Sequence, residues 1–252
     1  MSMDKSNALA VVIMAAGKGT RMQRDDIPKV CNLILGKPII QYVIDQAKYL
    51  SASKIICIVG HQQEAVRAAL ESEPVLFAEQ LEQLGTGHAV LQTAELLKDF
   101  LGEVIVLSGD VPLLRGSTLA ALLKRHREGQ FAATVLTAIA EDPRGYGRVI
   151  RTVDDLFDRV VEHKDASEDQ LNIHEINSGI YVFDCQKLFV QLPKVNSSNA
   201  QSEFYLPDVL PLLQNTGAKV GVEICETFSE IQGINTVAEL TTVEAKILDS
   251  QE

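Results

Sequence analysis

Short apolar runs alternate with amphipathic stretches along the first half of this chain, and each kind of run predicts a different element. Residues 9–16 are continuously apolar, as expected of a strand buried on both faces, and the run ends in the loop Gly17-Lys18-Gly19-Thr20. Residues 39–50 carry Ile40, Val43, Ile44 and Ala47 at helical spacing, so an amphipathic helix is predicted there. Residues 54–59 and 103–107 repeat the buried-strand pattern, with helices predicted over 62–70 and 89–97. Strands alternating with helices imply an α/β fold with a doubly wound, mostly parallel sheet and right-handed crossovers. The second half is less regular. Strands are predicted at 132–138, 178–184 and 220–224, and residues 156–162 pair with 147–151 across the turn signal Asp154-Asp155. Helices are predicted at 205–213 and 237–248. This mixture implies a partly antiparallel extension. Neither a repeat nor a Pro-, Gly- or Ser-rich linker interrupts the chain, so residues 1–252 read as one unit: lobes at 8–115 and 116–235, then a terminal helix at 236–252.

Composition narrows the function. With 252 residues and 46% hydrophobic positions, the chain can bury a sizeable core. A formal net charge of -11 excludes a broad basic face for nucleic acid, but leaves room for a local positive pocket that binds a small anion. The four cysteines, Cys31, Cys57, Cys185 and Cys225, lie far apart without a C-x-x-C pair, so buried free thiols are expected rather than a zinc site or disulfide scaffold. The polar start lacks the apolar core of a signal peptide, and no apolar run approaches the roughly 20 residues of a bilayer span. A soluble cytoplasmic protein with no membrane partner is expected.

Two loops at predicted strand ends carry groups suited to phosphate chemistry. In a parallel sheet, ligands collect beyond the carboxyl ends of the strands. The first loop, Ala15-Ala16-Gly17-Lys18-Gly19-Thr20-Arg21-Met22, combines small residues, which let backbone N–H groups approach phosphate, with a guanidinium and a nearby second cation at Lys29. Taken alone it reads equally as a plain turn. It lacks the leading glycine of a Walker A loop, and Met22 stands where the dinucleotide fingerprint needs glycine, which removes the main support for a hydride-transfer enzyme. The second loop, Ser108-Gly109-Asp110-Val111-Pro112, places a carboxylate at a strand tip, where it would hold Mg²⁺ or else cap a turn or the helix near Ser117.

Motifs beyond these loops carry a family resemblance. LAVVIMAAGKGTRM followed by IPKV resembles the signature of the sugar-nucleotide pyrophosphorylases. EQLGTGHA, GDVPL, DPRGYGRVI, VEHKDA and EINSGIY, in this order, are similar to the uridylyltransferase part of the bacterial UDP-N-acetylglucosamine pyrophosphorylases. The resemblance runs from about Leu9 to Leu248. It implies a Rossmann-like nucleotide-diphospho-sugar transferase fold and a Mg²⁺-dependent transfer from UTP to N-acetylglucosamine 1-phosphate, on the route to cell-wall (peptidoglycan) precursors. By that resemblance Met14, Ala15, Ala16, Gly17 and Gly19 would receive the nucleotide, with Arg21 and Lys29 on its phosphates. Gln80, Gly85 and Thr86 would read the uracil, beside Ser108 and Gly109. Gly147, Glu162 and Asn177 would hold the amino sugar, and Asp110 and Asn235 (in QGINT) the Mg²⁺. Arg21, Lys29 and Asp110 would carry the catalysis. His88 and His163 read as structural or rim residues.

Three departures from the family pattern stand out. Ser108 replaces an aromatic residue found in many members, which implies a different local packing contact. The stretch between Met22 and Lys29 is one residue longer than in some relatives, which leaves the reach of Lys29 open. The bifunctional relatives continue into a left-handed β-helix of hexapeptide repeats, and no such repeat occurs in this sequence. The expectation is therefore a monomer or small homo-oligomer without acetyltransferase activity or the β-helix trimer. The competing readings are another sugar 1-phosphate or nucleotide on the same fold, and a catalytically silent regulatory subunit.

Overall fold

A computed structural model describes residues 8–17, 19, 22 and 27–249. Arg21 lies outside the described residues, as do Lys18 and Thr20 of the same loop and the polar start at 1–7. In chain order the first half comprises β1 (Leu9–Met14), a small hairpin β2 (Leu33–Ile34) and β3 (Lys37–Pro38), α1 (Ile39–Tyr49), β4 (Lys54–Val59), α2 (Gln63–Ala69), β5 (Leu76–Glu79), α3 (Thr86–Leu91), α4 (Ala94–Leu97) and β6 (Glu103–Ser108). Then come α5 (Gly116–Gly129), β7 (Ala133–Ile139), β8 (Arg148–Arg151), β9 (Phe157–Val161), α6 (Glu168–Leu171), β10 (Glu175–Asp184), α7 (Cys185–Gln191), α8 (Val209–Gln214), β11 (Val220–Cys225) and α9 (Val237–Asp249).

The main sheet runs in the order β11-β7-β10-β6-β1-β4-β5. Within that path β10 alone is antiparallel to both of its neighbours, and the hairpin β8–β9 joins the sheet through Ile176 opposite Arg148. One sheet therefore passes through both halves of the sequence. Successive residues of β1 serve opposite faces. Val11 and Ile13 pack with Val43 and Ile44 of α1 and Leu119 and Leu122 of α5, whereas Ala10 and Val12 pack with Val90 of α3 and Leu188 of α7. Burial on both faces is what makes the strand read as an unbroken apolar run. A third cluster seats α9, through Val243 and Ile247, against Met22, Ile34, Ile39 and Ile234.

Several boundaries differ from the sequence reading, each for a local reason. The first strand ends at Met14; the Ala15 N–H still donates to the Ile58 carbonyl at 2.9 Å, and Ala15 and Ala16 then line a cavity. The helix expected over 89–97 is two short helices. Between them Thr93 donates its hydroxyl to the Val90 carbonyl at 2.7 Å, a back-bond that competes with helix continuation. Residues 205–213 begin as a 3-10 turn at Leu206–Asp208, with Pro207 in its first turn, before α8 starts. β10 extends back to Glu175 across a bulge at 177–180, where Gly179 takes φ +78°. Strand β5 and helices α5 and α7 were not predicted in full; β5 alternates only weakly and lies at the sheet edge. The cysteines are free as expected, although Cys31 is only half-buried.

Candidate active site

The carboxyl ends of β1 and β6 lie side by side, since the two strands pair in parallel from Leu9/Glu103 to Met14/Ser108. This register brings the two candidate loops together. The Gly109 N–H donates to the Met14 carbonyl at 2.9 Å, and a Cβ at Gly109 would meet that oxygen at 3.0 Å, so glycine permits the close approach. Gly109 thus sits behind the cavity wall and locks one loop to the other. Gly19 also lies off the cavity: it has φ +61°, and a Cβ there would come within 2.7 Å of the Lys29 Cβ.

Lys29 reaches the strand tips despite the longer connection before it. Its ammonium donates to the Asp110 carboxylate and, at 3.1 Å, to Asn235 Oδ1. Ser108 donates its hydroxyl to the other Asp110 oxygen at 2.6 Å, so the serine that departs from the family pattern fixes the carboxylate's orientation. The segment bearing Asn235 is held close by the Ile234 N–H, which donates to the Asp110 carbonyl at 2.9 Å. A side-chain carboxylate and a side-chain amide oxygen thus converge on one cation position. Two oxygen donors are what a Mg²⁺ ion bound mainly by phosphates and water asks of a protein, so the donor set fits the implied metal.

Beside this cation position lies a cavity of 250 Å³. Met14, Ala15, Ala16 and Gly17 form one wall, Gln80, Gly85 and Thr86 another, and Lys29, Ser108 and Asp110 the end. Gln80 is buried, and its amide nitrogen donates to the Gly85 carbonyl at 3.1 Å and meets His88 Nδ1 at 3.1 Å. His88 is in turn held by Gln92, which makes it a support for Gln80 rather than a reacting group. With its nitrogen engaged, Gln80 presents its oxygen as an acceptor. Gly85 has φ +112°, and a Cβ there would lie 2.6 Å from the Phe204 carbonyl. The Gly87 N–H donates to that same carbonyl at 2.7 Å, and the Leu206 N–H donates to Thr86 Oγ1 at 2.9 Å. The segment 203–206 is thereby docked onto the GTG turn.

A second cavity, of 190 Å³, adjoins the first and shares Met14 and Thr86 with it. Gly147, Glu162 and Asn177 line it.

 Arg148 faces Val161 across the β8–β9 ladder, which leaves Gly147 and Glu162 adjacent at its end. A Cβ on Gly147 would meet Glu162 Oε1 at 3.0 Å. Burial, with the negative charges of Asp208, Asp165 and Glu203 nearby, pushes the Glu162 carboxyl up to about 7. The β10 bulge presents Asn177, whose Oδ1 accepts from the Gly179 N–H at 3.1 Å and from the Tyr181 hydroxyl at 2.9 Å, leaving its amide nitrogen as a donor. The sequence reading did not single out Gln83 and Glu203 in the first cavity, or Tyr146, Tyr181 and Pro207 in the second. Nor did it single out Tyr205, whose buried hydroxyl has no partner among the described residues. Of these, Gln83, Tyr146 and Tyr181 lie inside the quoted motifs EQLGTGHA, DPRGYGRVI and EINSGIY, whereas Glu203 and Tyr205 had no local pattern to mark them.

A mostly parallel sheet with two adjoining cavities and a cation position at its strand tips is the architecture of a nucleotide-transfer fold. The chain belongs to the nucleotidyl transferase family, whose profile matches residues 10–225. Members of this family generally use a divalent metal. Among curated proteins the chain is 46% identical over 239 residues to the "Bifunctional protein GlmU" of Bacillus cereus (strain G9842), a match covering 95% of this chain and 51% of that protein. It is 48% identical over 234 residues to the protein of that name from Exiguobacterium sp. (strain ATCC BAA-1283 / AT1b), covering 93% and 51%. The chain thus spans about half the length of the curated relatives it matches. Among solved structures, a UDP-glucose pyrophosphorylase complexed with UDP-glucose matches with a TM-score of 0.76 at 18% identity, over 96% of this chain and 99% of that one, and shares the fold.

Proposed function

We propose that this chain transfers the uridylyl group of UTP to N-acetylglucosamine 1-phosphate, giving UDP-N-acetylglucosamine and pyrophosphate. The observation that carries the reading is the pair of cavities meeting at Met14 and Thr86, with Lys29, Asp110 and Asn235 gathered at the strand tips beside them. The likeness to the GlmU proteins supports the choice of base and sugar. A phosphate oxygen of the sugar phosphate attacks the α-phosphorus of UTP, the new O–P bond forms, and the bond to the β-phosphate breaks with pyrophosphate leaving. The nucleophile is already anionic near neutrality, since the second phosphate ionisation of a monoester falls near 6, so the reaction asks for no general base. Positioning and charge stabilisation supply the rate.

Each group has a task in this reading. The Gln80 oxygen accepts the N3–H of uracil, whereas cytosine presents an acceptor there. Asn177 donates to a sugar hydroxyl and Glu162 accepts from one. Asp110 and Asn235 would hold Mg²⁺, which when bound neutralises charge on the phosphate oxygens. Lys29 then turns from these donors to the phosphates. Arg21 joins it there by family resemblance. The test is pyrophosphate release across UTP, CTP, GTP, ATP and dTTP with N-acetylglucosamine 1-phosphate and glucose 1-phosphate, with and without Mg²⁺. Release that requires UTP, the acetamido sugar and the metal is expected. Equal turnover of glucose 1-phosphate would reassign the sugar, and no release with any pair would end the reading.

A further inference from the structure

Glu230 stands outside both cavities, yet its carboxylate joins the two segments that carry Asp110 and Asn235. It is 5% exposed. Its Oε2 accepts from the Thr118 hydroxyl at 2.5 Å and from the Arg115 N–H at 3.4 Å, and Oε1 lies 3.7 Å from the Arg115 guanidinium. Arg115 and Thr118 sit at the start of α5, on the segment that leaves Asp110. Glu230 sits on the 3-10 turn Phe228–Ile231, which leads into Gly233 and Asn235. The joint is close: the Ile234 N–H reaches the Asp110 carbonyl at 2.9 Å, and a Cβ on Gly233 would meet the Asp110 carboxylate at 3.1 Å. On its outer side lies a groove of 600 Å³, lined by Leu113, Arg115, Ser117, Ser229, Glu230 and Lys246 among others. Leu114 and Ile231 pack into the core on the inner side of the joint, and the Glu230 link closes its outer side, where the groove leaves it without further packing.

We propose that Glu230 is a positioning residue, which sets the separation of the Asp110 and Asn235 oxygens by clamping the 228–235 segment to the start of α5. The inference rests on the assignment of those two residues as metal donors. Mg²⁺ and Mn²⁺ sites tolerate little displacement of a donor, so slack in the clamp is read as lost metal affinity. Two measurements on the nucleotide-free protein test it: Mn²⁺ affinity by electron paramagnetic resonance, and hydrogen exchange of the Ile234 amide. Glu230→Ala should weaken Mn²⁺ binding at least about tenfold and speed Ile234 exchange by a similar factor, with the amides of β1 unchanged. Glu230→Gln keeps an acceptor and should stay within about twofold of the parent in both readouts. Thr118→Val, which removes one bond, should fall between them.

The clamp is overturned if Glu230→Ala binds Mn²⁺ like the parent, or if Glu230→Gln loses as much affinity as Glu230→Ala, which would make charge the cause. Exchange in β1 rising as much as at Ile234 would overturn it too, as general loss of stability. None of these outcomes depends on turnover. A protein that passes them but releases no pyrophosphate would keep the clamp and lose the proposed reaction.

Discussion

At Lys29 the ammonium occupies the place between Asp110 and Asn235 that the proposed reaction assigns to a divalent ion. Two cations cannot share those oxygens, so metal entry requires the lysine to leave. Lys29→Ala should therefore bind Mn²⁺ more tightly than the parent in the absence of nucleotide, by about fivefold or more, the factor that corresponds to the roughly 1 kcal/mol upper value of an exposed ion pair, since this pair is largely shielded from solvent. The same variant should lose about a hundredfold or more in turnover, as for a typical electrostatic donor. Calorimetry and pyrophosphate release read the two effects, and a loss in both would sink the exchange of cations. Glu162 makes a second prediction at this scale. Its carboxyl is raised to about 7, so it ionises later than the sugar phosphate, whose second step lies near 6. If the ionised form accepts from the sugar, kcat/KM for N-acetylglucosamine 1-phosphate should climb between pH 6 and 8. Glu162→Gln should lower it and remove the part of the climb above pH 7; an unchanged profile would exclude a binding role for that ionisation.

The GTG turn ahead of α3 is the element on which the first cavity depends. Gly85 combines φ +112° with a 2.6 Å approach of a built Cβ to the Phe204 carbonyl. Gly85→Ala should cost about 1–3 kcal/mol of stability through backbone strain and lift the 203–206 segment off the turn. Denaturant unfolding and the KM for UTP check this. Gly145→Ala, at φ +84° with nothing within 4 Å of its Cβ, should cost less. Elements of this kind also show what was legible in the sequence. β1, β4 and β6 were readable because burial on both faces leaves an unbroken apolar run, and α1 because it buries one stripe. The break after Leu91 was not, because it hangs on a hydroxyl back-bond at Thr93. The bulge that turns Asn177 toward the second cavity was hidden likewise, since a slip of register leaves little trace in composition. Motif residues such as Gln80, Gly85 and Asp110 could be named in advance. Glu203 and Glu230 could not, because the segments that carry them are placed by partners more than 100 residues away in the chain, the first through Phe204 on Leu84 and Gly87 and the second through Thr118.

Across the whole molecule a buried histidine and a half-buried, cavity-lining carboxylate pull stability in opposite directions with pH. His126, on α5, meets Thr134 Oγ1 of β7 at 2.9 Å, and burial lowers its pKa to about 4. The folded chain thus binds fewer protons there than the unfolded one, and this stability, present above 6.5, is lost as pH falls through 4. Glu162 behaves oppositely: raised from 4.5 to about 7, it gives stability that is full below 4.5 and lost as pH rises through 7. Each shift corresponds to roughly 3 kcal/mol at most, so across the shared window the two largely offset. Removing one should expose the other. His126→Asn should grow more stable relative to the parent as pH falls from 7 to 4.5, and Glu162→Gln less stable, while the double variant returns toward the parent's slope. Thermal unfolding at half-unit pH steps reads all four proteins. Parallel curves for the parent and both single variants would show that neither group is the desolvated titrating centre its surroundings imply.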